Sequence, residues 1–159
     1  MTRISTLPVR VSTATDLIAV RDLLVGAGLP VEDLDSAPGL RFWVAVDADR
    51  IVGAIGLERF GTAGLLRSLV VAPSHRQHGL GSALAAALEQ EASTNGMAIL
   101  VLLTETAEAF FRRHGYAVVD RAYVPDEIKG SAEFLSLCPA SATCMTKSLP
   151  SSRLGLSHG

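Results

Sequence analysis

Apolar residues along this chain follow two spacings, and the spacing changes wherever glycine and proline interrupt it. Leu7 to Val11 has the length of a first strand. Ser12 to Asp16 offers capping side chains to a helix whose stripe is Leu17, Val20, Leu23 and Leu24, and Gly26 to Pro30 stops it. Val31 to Asp35 predicts a short second helix, broken at Pro38-Gly39. Arg41 to Val46 and Ile51 to Leu57 enclose the polar turn Asp47 to Arg50 and predict a hairpin.

Gly61 to Gly64 turns into the stretch that organises the rest, Leu65 to Leu88. Leu65, Leu66, Leu69, Val70 and Val71 make a buried strand, ended by Pro73. From Gly79 onward Leu80, Ala83, Leu84, Ala87 and Leu88 recur at helical spacing, up to Asn95-Gly96. Met97 to Leu103 is again of strand length, and a strand that follows a crossover helix pairs parallel to the one before it. Thr104 to His114 predicts a helix capped by Gly115, and Tyr116 to Val119 a strand. Val124 to Gly130 is turn-like, Ala132 to Leu137 a short helix, and Ala142 to Leu149 the last strand. These elements predict an α/β fold: a mixed, mostly antiparallel sheet with one parallel central pair and helices on both faces. One domain over residues 1–149 accounts for them, with 150–159 as a disordered tail.

Composition narrows the class. Of 159 residues, 48% are hydrophobic and 19% charged, enough for one core. A net charge of −2 argues against holding nucleic acid by bulk charge. The apolar runs are too short to cross a bilayer, and the N-terminus lacks the apolar core of a signal peptide. Cys138 and Cys144 make no disulfide framework. The expectation is a cytoplasmic protein, monomer or homodimer, with no nucleic-acid or membrane partner.

The loop from Pro73 to Gly81 carries the candidate chemistry. Gly79 and Gly81 let backbone pass close to a bulky ligand, and the helix that opens there aims unpaired N–H groups and its positive end at the loop. Such a site suits phosphate or pyrophosphate. A P-loop would need Gly-Lys-Ser/Thr, and a dinucleotide fingerprint a third glycine where Leu84 stands. What stands here is Arg76-Gln77-His78-Gly79-Leu80-Gly81, after a strand and opening a helix.

That R/Q-x-x-G-x-G/A segment, with its Leu69-Val70-Val71-Ala72-Pro73 lead-in, resembles the acyl-CoA loop of the GNAT superfamily of N-acetyltransferases. A second likeness lies in Thr104 to Tyr116, where Ala107, Phe110 and Gly115 match the superfamily's N-x-x-A-x-x-F-Y-x-x-x-G-F. Thr104 replaces the Asn, and Phe111 replaces the Tyr that commonly protonates the departing thiolate. Ser131 to Phe134 and Leu137 to Ala142 are similar to a segment of small bacterial acetyltransferases linked to arsenic resistance.

The resemblance implies acetyl-CoA as cosubstrate, held in a sheet splayed at its parallel pair, and transfer of the acetyl group to the primary amine of a small, amino-acid-like acceptor. Amides from Gln77 through His78, Gly79, Leu80 and Gly81 to Ser82 would hold the pyrophosphate, with Arg76 adding a charged hydrogen bond. The pantetheine arm would pair with the edge of Leu69, Val70 and Val71, with Thr104 and Phe111 alongside. The Val70 N–H would stabilise the oxyanion. Glu58 is the first candidate base and Glu105 the second. A charge in a central strand is costly unless paired, so Arg67 either binds an acceptor carboxylate or forms an ion pair with Glu58 or Asp120. Ser68 and Trp43 complete the expected acceptor pocket. With Phe111 in place of Tyr, Tyr123, Tyr116 or water protonates the thiolate, or it leaves unassisted. No metal is expected. Protein or peptide acetylation, and a catalytically silent acyl-CoA sensor, are the alternative functions.

Overall fold

The computed structural model describes residues 7–37, 39–137 and 140–150. The expected tail from Ser151 onward, and Cys138 with Pro139, lie outside the described residues. The sheet is built from β1 (Val9–Val11), β2 (Leu40–Asp47), β3 (Arg50–Phe60), β4 (Ala63–Val71), β5 (Ile99–Thr104), β6 (Ala117–Val118) and β7 (Thr143–Ser148). Its strand order is β1-β2-β3-β4-β5-β7-β6. The β4–β5 pair is parallel and its other pairs are antiparallel.

The helices are α1 (Asp16–Gly26), α2 (Leu80–Thr94), α3 (Glu108–Arg113) and α4 (Asp126–Lys129). Strand alternation sends Trp43, Ala45, Ile55 and Leu66 to one face, where Leu80, Leu84 and Leu88 of α2 cover them. It sends Phe42, Val44, Ala54 and Val70 to the other, where Val20 and Leu24 of α1 pack. On that second face, Ile128 of α4 covers Leu65, Val101 and Cys144. The face is therefore roofed by two separate bodies, and the gap between them opens above the middle of β4.

Three local expectations are corrected. Val31 to Asp35 is a run of turns rather than a helix, tied by Leu34 N–H to Val31 O and Ser36 N–H to Asp33 O. The segment read as turn-like, Val124 to Gly130, contains α4, one turn of helix begun by Pro125. The helix expected from Thr104 starts only at Glu108, because the Thr104 hydroxyl accepts from Ala107 N–H and holds the chain in a cap-like turn first.

Candidate active site

Strands β4 and β5 pair only through Ala63 to Leu65 against Ile99 to Val101. Beyond Leu65 they part, although β4 runs on to Val71 and β5 to Thr104. A β-bulge drives the parting. Ala54 faces Val70 and Gly56 faces Arg67, so Ser68 and Leu69 together oppose Ile55. Ser68 takes up the extra residue in a left-handed conformation, φ 59°. The bend leaves a cavity of about 800 Å³ beside the parted strands, with Arg76 and the Gly26–Pro30 loop among the residues that line it.

The ladder fixes which amides reach that cavity. Ala72 N–H donates to Val52 O at 2.7 Å, so alternation turns the Val71 peptide away from β3 and the Val70 peptide toward it. Consistent with this, Val70 O lies 3.3 Å from the position of a Cβ on Gly53 of β3. The expected cleft-facing Val70 N–H is thus directed into the sheet, and the amides of Leu69 and Val71 flank it on the cleft side. Val71 O already accepts from Arg76 Nε at 2.9 Å, so the loop arginine is tied to the strand edge it follows.

At the loop, Gln77 (φ 65°) and Gly79 (φ 86°) are both left-handed, the kind of conformation from which backbone nests that can hold an anion are built. α2 then begins, and Ala83 N–H to Gly79 O is its first internal bond, so the amides of its opening turn point into the loop. His78 is exposed there. The Leu80 side chain is buried in the core, so only its backbone serves the loop. Ser82 Oγ donates to His114 Nε2 at 2.9 Å, whose Nδ1–H is used on Phe110 O. The two glycines differ in purpose. Gly79 serves the turn, whereas a Cβ on Gly81 would come within 3.3 Å of the Phe110 ring, so Gly81 serves the packing of α3 on α2.

Arg67 sits under the other end of the cavity with its side chain wholly buried. Its Nη1 and Nη2 grip Asp33 at 2.6 and 2.7 Å, Nη1 reaches Glu58 at 3.1 Å, and Nε reaches Ser68 Oγ at 3.2 Å and Glu133 at 3.6 Å. Of the two expected partners Glu58 is present, whereas Asp120 instead accepts from Ala122 N–H at the start of a short turn. Burial raises the Glu58 pKa above its ordinary value, only partly opposed by Arg67, and the nearby Asp33 charge adds to the rise. The carboxylates around it hold the Arg67 guanidinium firmly protonated.

Other expected residues divide. Arg67, Ser68, Leu69, Val70, Val71, Arg76, Thr104, Glu105 and Phe111 all line the cavity. Trp43 does not; it is buried beneath α2, with Arg41 stacked over its ring at 5.6 Å, so its placement in the acceptor pocket is corrected. Glu58 does not line it either, being buried behind Arg67. Tyr116 is core, donating to Glu89 at 2.8 Å, and burial raises its pKa. Tyr123 is 84% exposed and lies off the cavity wall, which leaves Phe111 where a tyrosine was sought. Asp33 and Glu133 were missed. The signal for them was Arg67 itself, because a guanidinium inside a central strand demands buried carboxylates from other elements.

The chain's likenesses agree with this geometry. The family described as acetyltransferase (GNAT) domain matches residues 38–118. The structure of Rv2747 from Mycobacterium tuberculosis, in complex with CoA and NLQ, superposes with a TM-score of 0.75 at 27% identity, over 90% of this chain and 99% of that one. N-acetylglutamate synthase from Neisseria gonorrhoeae, complexed with coenzyme A and N-acetyl-glutamate, gives 0.75 at 17% identity over 90% of this chain and 35% of that one. A GNAT-family acetyltransferase from Staphylococcus aureus gives 0.74 at 16% identity over 90% and 100%. No curated protein matches the chain in sequence.

Proposed function

Because the chain belongs to the GNAT acetyltransferase family, and so is an acyl-CoA-dependent N-acetyltransferase, we propose that its acceptor is the primary amine of a small, polar, amino-acid-like molecule. The observation that carries this is the cavity itself. It lies between the splayed strands and is lined by Arg76, which leads into the loop of Gln77 to Ser82, and by Arg67 and Glu133 of the buried charged cluster. A diphosphate fits the nest of Gln77 to Ser82, with the remaining Arg76 nitrogens beside it. An amide-bearing arm fits the cleft edge of Leu69 and Val71. The oxyanion donor is then the Leu69 N–H rather than that of Val70, one residue past the bulge at Ser68.

The amino-acid character of the acceptor is supported by one structural neighbour, the N-acetylglutamate synthase complexed with N-acetyl-glutamate. The segment like those of arsenic-resistance acetyltransferases extends the acceptor class to arsenic- and phosphorus-containing amino acids, and with it a detoxifying role. Arg67 serves such acceptors from behind the wall: its paired fork fixes the charge of that end rather than gripping a carboxylate. The thiolate leaves unassisted or is protonated by water, since Phe111 has no proton to give. We assign the protein to the cytoplasm, as one domain over residues 1–149.

The test is CoA release with glutamate, glutamine, phosphinothricin, an arsenic-containing amino acid and a lysine peptide as acceptors. Faster release with one of the amino acids supports the reading, and release with the peptide alone overturns the small-acceptor part of it. A silent acyl-CoA sensor is favoured by one observation, the buried Phe111. It gains if acetyl-CoA shifts the amide signals of residues 77–82 and no amine speeds release.

A further inference from the structure

Acceptor amines arrive as ammonium ions at neutral pH, and one proton must leave before the nitrogen can attack. The group that takes it has to reach the cavity. Among the described acidic residues, Asp33, Glu58 and Glu133 crowd around Arg67, but of these only Glu133 lines the cavity. Glu105 also lines it, yet it is exposed, where water competes for any proton.

Glu133 is held for such work. It is only 4% exposed and opens a π-helical turn, Glu133–Leu137. Ser131, itself buried, fixes that turn: its hydroxyl accepts from Phe134 N–H and its carbonyl from Leu135 N–H. The Glu133 carboxylate lies 3.6 Å from Arg67 Nε, which also touches Ser68 Oγ. It therefore stands beside the bulge that directs the Leu69 amide into the cleft. Charge favours a cation at this point. Three carboxylates, those of Asp33, Glu58 and Glu133, surround the single cation of Arg67. Glu105, just past β5, lines the same cavity, and Arg121 stacks on Phe134, the residue after Glu133, and bonds to Ala142 O.

We propose that Glu133 is the catalytic base of the acetyl transfer, a step that rests on the acetyltransferase reading above. A Glu133 oxygen takes one proton from the acceptor ammonium, breaking an N–H bond and forming an O–H bond. The freed nitrogen lone pair attacks the thioester carbon, an N–C bond forms, and the C–S bond breaks with its electrons going to sulfur. The nitrogen's surplus proton passes to water, water protonates the thiolate, and Glu133 returns its own proton to water. Glu58 is a positioning residue that acts through Arg67.

The test compares two small nucleophiles with acetyl-CoA and the full chain. Ethylamine is protonated at neutral pH and needs a base; hydroxylamine is largely unprotonated and does not. In Glu133→Gln, transfer to ethylamine is expected to fall by about 10²-fold or more, with transfer to hydroxylamine within about 3-fold of wild type. Glu133→Asp should recover part of the ethylamine rate. Equal loss on both nucleophiles, or no loss on either, overturns the proposal. Should the wild type transfer to neither above background and to none of the amino acids tested above, the small-amine reading fails and takes this one with it. Should it use one of those amino acids only, that amino acid replaces ethylamine, and a Glu133→Gln rate within about 3-fold of wild type overturns the assignment. Acetyl-CoA affinity and thermal unfolding of each variant identify misfolding, in which case Glu133→Asp alone decides: an ethylamine rate equal to its hydroxylamine rate, each relative to wild type, overturns the assignment.

Discussion

Arg67 presents both terminal nitrogens to Asp33, at 2.6 and 2.7 Å, across 34 positions of sequence. The pair joins the turn after α1 to the middle of β4, between the parts of the second sheet face that α1 and α4 cover. A fork-to-fork contact of this kind fixes both angle and distance, so the Gly26–Pro30 wall of the cavity is set by it. Removing one member leaves a buried charge without its best partner. Asp33→Ala should therefore lower the unfolding free energy by about 3–5 kcal/mol. Arg67→Met, which removes the cation and leaves crowded carboxylates, should be at least as harmful at pH 7 and recover as they are protonated at low pH. Denaturant unfolding at two pH values checks both.

Glu58 gives the molecule a pH signature. Burial raises its pKa above 4.5, so between that value and the raised one the folded chain keeps a proton that the unfolded chain has lost. Stability rises with pH only where the unfolded state holds more protons; here the folded state does. The Glu58 contribution is thus fully present below pH 4.5 and declines as pH rises through the folded value. Glu58→Gln should remove that decline. Denaturant midpoints of wild type and variant measured from pH 4 to 8 should diverge in slope, and parallel curves would rule the assignment out.

The two loop glycines should separate under substitution. Gly79→Ala puts a side chain at φ 86°, at a cost of about 1–2 kcal/mol, and tilts the amides of the nest. Acetyl-CoA affinity should drop with it. Gly81→Ala presses on the Phe110 ring at 3.3 Å instead, so the strain goes to α3 and to the His114 ring stacked on Phe110 at 4.3 Å. Its affinity loss should be smaller for a similar loss of stability. Thermal shift with and without acetyl-CoA distinguishes the two.

Legibility in the sequence followed the range of the interaction. The strand, loop and helix from Leu65 to Leu88 could be read because periodicity, Pro73 and Gly79 act within a few residues. The parallel pairing of β4 with β5 followed from the crossover helix between them. The ligands of Arg67 could not be read in full, because Asp33 and Glu133 reach it from irregular segments with no period to announce them. The bulge was hidden too. A serine at φ 59° breaks the expectation that such positions carry glycine, and without the bulge the alternation of Leu69, Val70 and Val71 cannot be phased. Without that phase the expectation rests on Val70, whose N–H the ladder directs toward β3.

Tyr116 separates stability from chemistry. Its hydroxyl donates to Glu89, which also pairs with Lys147 at 2.9 Å, and Lys147 reaches His114 O at 2.7 Å. This network ties the chain after α3 to the side of α2. Tyr116→Phe loses one hydrogen bond to a charged acceptor, about 1.5–3 kcal/mol, while Glu89 keeps Lys147. Turnover should stay within about 2-fold of wild type, because the hydroxyl lies off the cavity. A large fall in turnover at unchanged stability would make this tyrosine the thiolate's proton donor after all.

Ser68 offers the sharpest test of how backbone makes the site. It holds a left-handed conformation inside a central strand, a state that a serine tolerates and a β-branched residue resists. Ser68→Gly relieves the backbone while losing the Oγ contact to Arg67 Nε at 3.2 Å. The two effects oppose each other, and stability should change by less than about 1 kcal/mol. Ser68→Val cannot hold the conformation cheaply, and flattening the bulge rotates the Leu69 amide away from the cleft. Its turnover should fall by about 10²–10³-fold, the scale of one lost oxyanion donor, while acetyl-CoA still binds through the distant nest. Turnover of Ser68→Val measured alongside acetyl-CoA affinity decides the matter. A parallel fall in both would mean that the bulge shapes only the binding cleft, and an unchanged turnover would remove Leu69 from the reaction.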